Sequence, residues 1–325
     1  MSEPTGRPEA WPAALLVAGP TASGKSALAL ALASRLGGCV VNADSMQVYA
    51  GLRVLTARPT AAEEAAVPHA LYGVRPPGEA ASVAWWREAA LAEMARVRAA
   101  GLLPILCGGT GLYFHALTRG LSAMPEVPPE ARQEARALLA AEGPAALHAR
   151  LDPETAAGLR PSDSQRLARA WEVWLATGRG LAQWQREAPG TGPAPWRFRA
   201  LLLEPARDAL RASIGARFAG MLAGGALEEV RALAAQGLDP ALPAMRAHGV
   251  PELLAFLRGE MSLPAAERQA VLHTGQYTKR QATWFRHHAL ADAPDTHSIH
   301  ARFSGFEQLS ESDRAEIFAF VDGWR

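Results

Sequence analysis

The segment Gly19-Pro20-Thr21-Ala22-Ser23-Gly24-Lys25-Ser26 decides the fold of this chain. It is a complete G-x-x-x-x-G-K-[ST] phosphate-binding loop. The apolar run before it (13–18) has strand character, and the run after it (27–33) is a strong helix former. A strand, a glycine-rich turn and a helix N-terminus together aim backbone N–H groups and the positive helix end at one anion. The loop therefore predicts a protein that binds a di- or triphosphate.

Two side chains of the loop carry its chemistry. Lys25 supplies a point charge for bridging and terminal phosphate oxygens, and the Ser26 hydroxyl suits a Mg²⁺ ligand. The chain has only two lysines, Lys25 and Lys279, among 33 Lys plus Arg residues. Arginine supplies the other cations, so a lysine here indicates a site where a compact ammonium must fit inside a loop. A chance match in an Ala- and Gly-rich chain is the alternative, and the flanking strand and helix argue against it.

The composition sets broad limits on the class of protein. With 325 residues, the chain can hold two domains or one domain with a large insertion. A 49% hydrophobic content supplies a packed core, and a net charge of +1 neither demands nor excludes a nucleic-acid partner. Cys39 and Cys107 lie in apolar strand-like runs and are expected to be buried small hydrophobes. The first twelve residues lack the features of a signal peptide, and no apolar run is long enough for a membrane span. A cytoplasmic protein without membrane association is therefore expected.

Strand and helix signals alternate in the first third of the chain. Strands are predicted at 39–43 and 102–107 in addition to 13–18, and a helix capped by Ser82 is predicted at 82–100. This alternation indicates a parallel sheet that binds ligands at the carboxyl ends of its strands. The phosphate-binding loop, Asp44 and Thr110 all follow strands and should gather at that edge.

A cluster of prolines near residue 125 marks a change of character. Helical patterns at 130–147 and 164–185 follow it, strand character returns at 198–204, and two long amphipathic helices are predicted at 206–236 and 263–288. The predicted fold class is α/β, with a P-loop NTPase-like parallel sheet core, helices on both faces and a helical insertion domain. The core is assigned to 11–124 and 197–325, and the insertion to 125–196.

Two positions at the predicted sheet edge are candidates for chemistry. Asp44 could bind Mg²⁺ through water, act as a general base, or serve only as a helix N-cap. Thr110 follows Gly108-Gly109 at the end of a strand, where many phosphate-loop hydrolases carry an acid that holds Mg²⁺. Residues 105–108 contain no acid, which counts against nucleotide hydrolysis and favours close approach of a substrate to the backbone and the Thr110 hydroxyl. A simple strand-to-helix turn is the alternative.

Two segments suggest contact with RNA. Residues 268–288 carry four Lys or Arg, three His and no acid, with aromatic rings between them. The alternative is an amphipathic helix that packs Trp284 and Phe285 into the core. In the insertion, 165–169 concentrates positive charge on one turn. The insertion tryptophans are predicted to form its core rather than stacking platforms, namely Trp171, Trp174 and Trp184.

Together these motifs resemble the tRNA dimethylallyltransferase family, the bacterial adenosine isopentenyltransferases. The specific pieces are the loop at 19–26, Asp-Ser-Met-Gln-Val-Tyr at 44–49, Gly-Gly-Thr-Gly-Leu-Tyr at 108–113 and Lys-Arg-Gln-Ala-Thr-Trp-Phe-Arg at 279–286. Shorter matches lie at 56–59, 68–69, 163–170 and 211–221. The match spans nearly the whole chain in family order.

The resemblance implies transfer of a dimethylallyl group from dimethylallyl diphosphate to N6 of the adenosine 3′ of the tRNA anticodon (position 37). It implies a Mg²⁺ requirement, with Ser26 as a metal ligand, and an insertion that touches the anticodon stem-loop; a monomer is expected. By motif match Asp44 is the general base, Thr110 lies beside the reacting groups, and Lys25 with Arg217 or Arg246 holds the diphosphate. The full diphosphate set is Gly19, Pro20, Thr21, Ala22, Ser23, Gly24, Lys25, Ser26 and Arg246, with Arg217 also counted as catalytic. The residues expected to face tRNA are Asp44, Ser45, Met46, Gln47, Thr110, Arg132, Gln165, Arg166, Leu167, Ala168, Arg169, Lys279, Arg280 and Arg286.

One departure and two rival functions stay open at this point. The family usually reads Arg-x-x-Gly-Tyr where this chain has Arg246-Ala247-His248-Gly249-Val250, so whatever that tyrosine contacts must be replaced. A small-molecule or nucleoside kinase shares the loop, but it explains neither the basic-aromatic helix nor the insertion. An RNA-binding NTPase switch is the other rival, and the strand end without an acid argues against it.

Overall fold

A computed structural model describes residues 11–323 of the chain. Its centre is a parallel sheet of six strands in the order β3-β2-β4-β1-β5-β6. Ala18 of the central strand lies in register with Gly108 on one side and Leu202 on the other. The strands are β1 (Ala13–Ala18), β2 (Gly38–Asn42), β3 (His69–Ala70), β4 (Leu103–Gly108), β5 (Arg197–Leu203) and β6 (Thr296–Ile299). This topology confirms the predicted α/β class and brings the phosphate-binding loop, Asp44 and Thr110 to one edge.

Helices cover both faces of the sheet because the side chains of β1 alternate between two cores. The helices are α1 (Lys25–Leu36), α2 (Ala61–Ala66), α3 (Val83–Ala99), α4 (Gly111–Thr118), α5 (Pro129–Arg150), α6 (Pro153–Ala157), α7 (Ser164–Thr177), α8 (Leu181–Glu187), α9 (Arg207–Ala223), α10 (Ala226–Ala234), α11 (Val250–Leu257), α12 (Leu263–His287) and α13 (Glu311–Asp322). Leu15 and Val17 pack with α1 and α13, whereas Leu16 and Ala18 pack with α3, α4 and α10–α12.

Two of the long predicted helices are each two helices. The segment 164–185 breaks after α7, where Gly178 adopts a φ of 68° and donates its N–H to the carbonyl of Trp174. The segment 206–236 breaks between α9 and α10, where Gly225 has a φ of 101°. Glycine takes this left-handed conformation at little cost. Gly178 therefore ends α7 and Gly225 caps the start of α10, where the apolar pattern alone would continue one helix. Predicting one helix in each segment was therefore wrong.

The chain divides into two compact units, and the smaller one spans 120–192. It contains α5 to α8 and two small apolar clusters. Trp171 and Trp184 pack against these clusters, whereas Trp174 is 38% exposed, so the prediction of a core position was wrong for Trp174. The predicted limits 125–196 begin five residues later and end four residues later than this unit. The ends differ because Ala194 and Trp196 are buried in the core of the larger unit.

Two further features match their predictions. Cys39 and Cys107 are both buried, and burial raises the pKa of each thiol to about 11. Such thiols are protonated near neutral pH and serve as packing residues. In the described part of the chain, every helix is too short or too polar to cross a membrane.

Candidate active site

The phosphate-binding loop links β1 to α1 and buries its lysine. Lys25 is only 9% exposed, and its Nζ donates to the carbonyl of Pro20 over 3.3 Å. Burial lowers the pKa of Lys25, while Asp44 and Cys107 raise it. A buried ammonium with one neutral partner is poorly solvated, so an anion in the loop would stabilise its positive charge.

Asp44 lies in a turn after β2, so it is not a helix N-cap. One carboxylate oxygen, Oδ1, accepts the backbone N–H of Met46 over 2.9 Å, and the Asp44 N–H donates to Asn42 Oδ1 over 2.9 Å. No hydrogen bond among the described residues engages Oδ2. The carboxylate lines the same cavity as Lys25 and Ser26. Asp44 is therefore fixed by one oxygen and can accept a proton with the other.

Thr110 is tied to the turn that carries Asp44. Its Oγ1 accepts the backbone N–H of Ser45 over 2.9 Å and donates to the Ser45 hydroxyl over 3.2 Å. These bonds make Thr110 a positioning group for the Asp44 turn, in addition to its predicted place beside the reacting groups.

The cavity at this edge combines polar and apolar walls. Charged and polar groups come from the loop, from Asp44 and from Arg217, and the apolar part is formed by Leu55, Ile214, Phe218 and Met221. Burial lowers the pKa of Arg217 and Asp44 raises it. Arg217 therefore shares the cavity with Lys25, whereas Arg246 is exposed at the end of a short 3-10 helix and is not among the lining residues.

Gln281 on α12 connects the phosphate-binding loop to the end of β4, a role that sequence reasoning missed. Its Oε1 accepts the Thr21 N–H over 2.8 Å, and its Nε2 donates to the carbonyl of Gly109 over 2.9 Å. The side chain is 5% exposed. Gln281 thus holds the phosphate-binding loop against the end of β4.

Replacing Gln281 with leucine should cost about 2–4 kcal/mol of unfolding free energy. It keeps the volume but leaves the Thr21 N–H and the Gly109 carbonyl unpaired, and each buried unpaired group costs about 1–3 kcal/mol. Urea unfolding followed by circular dichroism measures the change. Gln276→Leu, at an exposed position of the same helix, is the control and should change stability by less than about 0.5 kcal/mol. Equal stability of the two variants would contradict the proposed connection.

At position 250, where the family usually has tyrosine, this chain packs a valine into its core. Val250 is fully buried at the start of α11 and cannot present a ring to the cavity. His248 contributes a ring to the cavity wall, and its centroid lies 4.6 Å from that of Tyr277, which also lines the cavity. Burial, and then Arg280, lowers the pKa of His248, which favours the neutral imidazole. A neutral His-Tyr pair thus occupies this wall.

A basic groove runs between α9 and α12, and we call it the α9–α12 groove. Lys279, Arg286 and Arg268, which line it, belong to the stretch 268–288 that was predicted to contact RNA, and Arg207 and Arg211 join them without having been predicted. No acid lines the groove, and none of these five cations forms an ion pair with another described residue. Its α12 residues span 268–286, about 27 Å at 1.5 Å per residue. The sequence carried one signal for these two residues, because Arg207 and Arg211 are four residues apart and so lie one helical turn apart on the same face.

The remaining RNA-facing candidates lie elsewhere. Met46 and Gln47 line the cavity, and Arg280 is exposed with its guanidinium 5.5 Å from the Tyr277 ring centroid. In the smaller unit, Arg132 and Gln165 are exposed, while Arg166 and Arg169 pair with Asp163 and Glu172 at 3.7 and 3.1 Å. Leu167 and Ala168 are buried in the core of that unit. This corrects the prediction for these two side chains, which an amphipathic helix turns inward.

The fold and the cavity define a phosphate-loop α/β protein in which a carboxylate and an apolar wall line the same cavity as the loop lysine. Family models described as IPP transferase and isopentenyl transferase match residues 47–288 and 12–69. The tRNA dimethylallyltransferases of Granulibacter bethesdensis and Acidiphilium cryptum are 58% and 60% identical over 311 residues. These alignments cover 95% of this chain and 97% and 94% of the relatives. The chain belongs to the IPP transferase family.

Solved structures agree with this assignment. The tRNA isopentenylpyrophosphate transferase of Bacillus halodurans is 31% identical with a TM-score of 0.67, and the match covers 96% of both chains. A eukaryotic dimethylallyltransferase acting on tRNA is 23% identical with a TM-score of 0.73, over 96% of this chain and 80% of that one. The second similarity shows a shared fold.

Proposed function

We infer that this protein transfers a dimethylallyl group from dimethylallyl diphosphate to N6 of the adenosine just 3′ of the anticodon in tRNA. One observation carries the proposal: a single cavity is lined by a buried loop lysine, an anchored carboxylate and an apolar wall. An allylic diphosphate presents a phosphate group and a hydrocarbon group, and the cavity offers a matching environment to each. The carboxylate supplies the base that an amine acceptor requires.

The reaction needs three contributions from these residues: positive charge beside the leaving diphosphate, a base for N6, and a wall that excludes water. The N6 lone pair is delocalised into the adenine ring, so N6 is a weak nucleophile until its proton is removed. As the C1–O bond of the donor breaks, the diphosphate keeps the electron pair and its growing charge is stabilised by Lys25 and Arg217. N6 bonds to C1, and Asp44 takes the N6 proton. Phe218, Met221 and Leu55 keep water from the allylic carbon while it carries positive charge.

Mg²⁺ fits this site as a partner of the diphosphate. The described residues contain no cluster of three or more His, Cys, Asp or Glu that could hold a metal ion. Mg²⁺ commonly uses one or two protein ligands with phosphate oxygens and water. The exposed Ser26 hydroxyl and the Asp44 carboxylate line the cavity and match that pattern. The ion would neutralise charge on the departing diphosphate.

The α9–α12 groove supports an RNA substrate. Five cations without a described ion partner attract phosphates, and the groove shares Ile214 with the cavity lining. The adenine must leave its stack in the anticodon loop to reach Asp44, and binding the adjoining backbone in the groove would help to offset that cost. Contact of the insertion with the anticodon stem-loop, a monomeric state and a cytoplasmic location are further parts of the proposal.

Neutralising three arginines of the groove should weaken tRNA binding. In the triple variant Arg207→Gln, Arg211→Gln and Arg268→Gln, the slope of log affinity against log salt should fall by about 0.7 for each lost phosphate contact. Filter binding over a salt series measures this slope. A control triple variant, Arg98→Gln, Arg231→Gln and Arg258→Gln, removes the same charge from exposed sites outside the groove. If both triple variants show the same slope, the groove does not bind tRNA.

The direct test of the function uses purified protein, tRNA, Mg²⁺ and dimethylallyl diphosphate. After nuclease digestion, mass spectrometry of the nucleosides should show adenosine that carries one dimethylallyl group. A tRNA with guanosine in place of the target adenosine should remain unmodified. Absence of prenylated adenosine from the matched tRNA, or a product that requires ATP, would refute the proposal.

A further inference from the structure

A segment near the C-terminus contacts the phosphate-binding loop, and we call residues 300–304 the C-terminal strap. It follows β6 and precedes the last helix. The N–H of Phe303 donates to the carbonyl of Ser23 over 3.0 Å, and Arg302 Nε donates to the carbonyl of Ala22 over 3.2 Å. Phe303 is 2% exposed and packs its ring 5.1 Å from that of Phe306. The strap is thus anchored in the core and bonded to the loop.

The strap backbone lies so close to the loop at Gly24 that no side chain fits there. Gly24 has a φ of +91°, and a Cβ added there would meet the carbonyl oxygen of Phe303 at 1.8 Å. The glycine is therefore required both by its backbone conformation and by the neighbouring strap. Because the strap backbone is held this closely, the first atoms of the Arg302 side chain have a defined position beside the loop.

A second cavity, of about 190 Å³, joins the strap to the loop. Lys25, Ser26 and Arg217 line it as they line the first cavity, and Arg302 completes the lining with Ala22, Gly24 and Ser213. Three cations and no carboxylate face this space. Burial lowers the pKa of Arg217, Asp44 raises it, and the nearby Arg302 lowers it. Like charges held this close are unfavourable unless an anion lies between them.

We propose that Arg302 binds the diphosphate together with Lys25 and Arg217. Its Nε is anchored on Ala22, and no hydrogen bond or ion pair among the described residues engages its two Nη groups, so they are free for a forked contact with phosphate oxygens. The strap lies beyond residues 47–288, which the longer family model matches. The assignment rests on the proposed function.

The stabilisation that Arg302 gives to the diphosphate should increase during the reaction. When the C1–O bond breaks, its electron pair remains on the diphosphate oxygen, and negative charge on the leaving group increases. A cation on those oxygens then binds more strongly in the transition state than in the ground state, which raises kcat as well as affinity. Arg302 should therefore affect both the binding of the donor and its turnover, without affecting tRNA binding.

The test measures the binding of inorganic pyrophosphate with Mg²⁺ by calorimetry, which does not depend on turnover. Arg302→Gln keeps a donor for the Ala22 carbonyl but removes the charge. It should weaken pyrophosphate binding by about 10-fold or more, as expected for loss of a charged hydrogen bond. The kcat/KM for dimethylallyl diphosphate should fall at least as far, while the KM for tRNA stays unchanged. Arg314→Gln, on α13 and outside the cavity, is the matched control and should match the wild type.

Four outcomes have distinct meanings. Wild-type pyrophosphate affinity in Arg302→Gln would overturn the assignment. Weaker binding with an unchanged salt dependence would overturn it as well, because that pattern indicates a loosened loop rather than a lost ionic contact. Arg302→Lys restores the charge without the fork and should recover part of the affinity. If the wild type binds pyrophosphate but forms no prenylated adenosine, the proposed function fails while the anion site stands.

Discussion

Replacing Asp44 with asparagine should lower kcat by about 10²- to 10⁴-fold and leave the melting temperature close to that of the wild type. The amide oxygen of asparagine can still accept the Met46 N–H that Asp44 Oδ1 accepts, so the turn after β2 should persist. The amide cannot take a proton from N6. Single-turnover transfer with saturating tRNA and donor, together with thermal unfolding, separates the two effects.

A second aspartate provides a matched control for this substitution. Asp239 Oδ1 accepts the N–H of Ala241 over 2.8 Å, the same two-residue turn contact as that of Asp44, and it does not line the active-site cavity. Asp239→Asn should therefore retain wild-type turnover. If Asp44→Asn instead loses stability and keeps its kcat, Asp44 is only a turn cap and the base lies elsewhere.

Replacing Lys25 with alanine should slow transfer severely, because it removes the loop cation that faces the leaving diphosphate. Loss of one preorganised charge from a developing anion costs about 3–4 kcal/mol of transition-state stabilisation, or roughly 10²- to 10³-fold in rate. Stability should change little or rise, because the ammonium is buried and burial lowers its pKa. Rapid-quench measurement of the transfer step, with thermal unfolding in parallel, checks both expectations.

Lys25→Arg tests whether charge alone is sufficient. The Lys25 ammonium lies within the loop, 3.3 Å from the carbonyl of Pro20, and a planar guanidinium is larger and carries a fixed fork. The arginine variant should therefore rescue transfer poorly. Near-wild-type turnover in Lys25→Arg would contradict this explanation, because it would mean that any cation near the diphosphate suffices.

The parts of the site that follow from sequence are local. The phosphate-binding loop and the position of Asp44 at a strand end depend on neighbouring residues, and parallel strands bring such ends to one edge. Gln281 and Arg302 could not be found in this way, because they bond to Thr21 and Ala22 across 260 and 280 residues of sequence. No periodic pattern encodes such a contact. An isolated polar residue on an apolar helix face, as at Gln281, is at most a weak signal.

The fold likewise has parts that follow from the sequence and parts that do not. The long apolar strands of the sheet centre were predicted within a residue or so, because buried parallel strands form continuous apolar runs. The two-residue strand β3 and the strand β6, which pair with their neighbours at the sheet edges, carry no comparable pattern. The breaks at Gly178 and Gly225 depend on backbone conformations that an Ala-rich helical pattern does not reveal.

The central claim is that this phosphate-binding loop holds a leaving diphosphate and does not transfer a phosphoryl group. The most direct test uses dimethylallyl diphosphate with a heavy oxygen isotope in the bridge between C1 and phosphorus. Cleavage of the C1–O bond places the label in released pyrophosphate, in an amount equal to the prenylated adenosine formed. We expect that result by mass spectrometry. Label recovered in dimethylallyl alcohol, or a phosphorylated acceptor, would show cleavage of the P–O bond and contradict the claim.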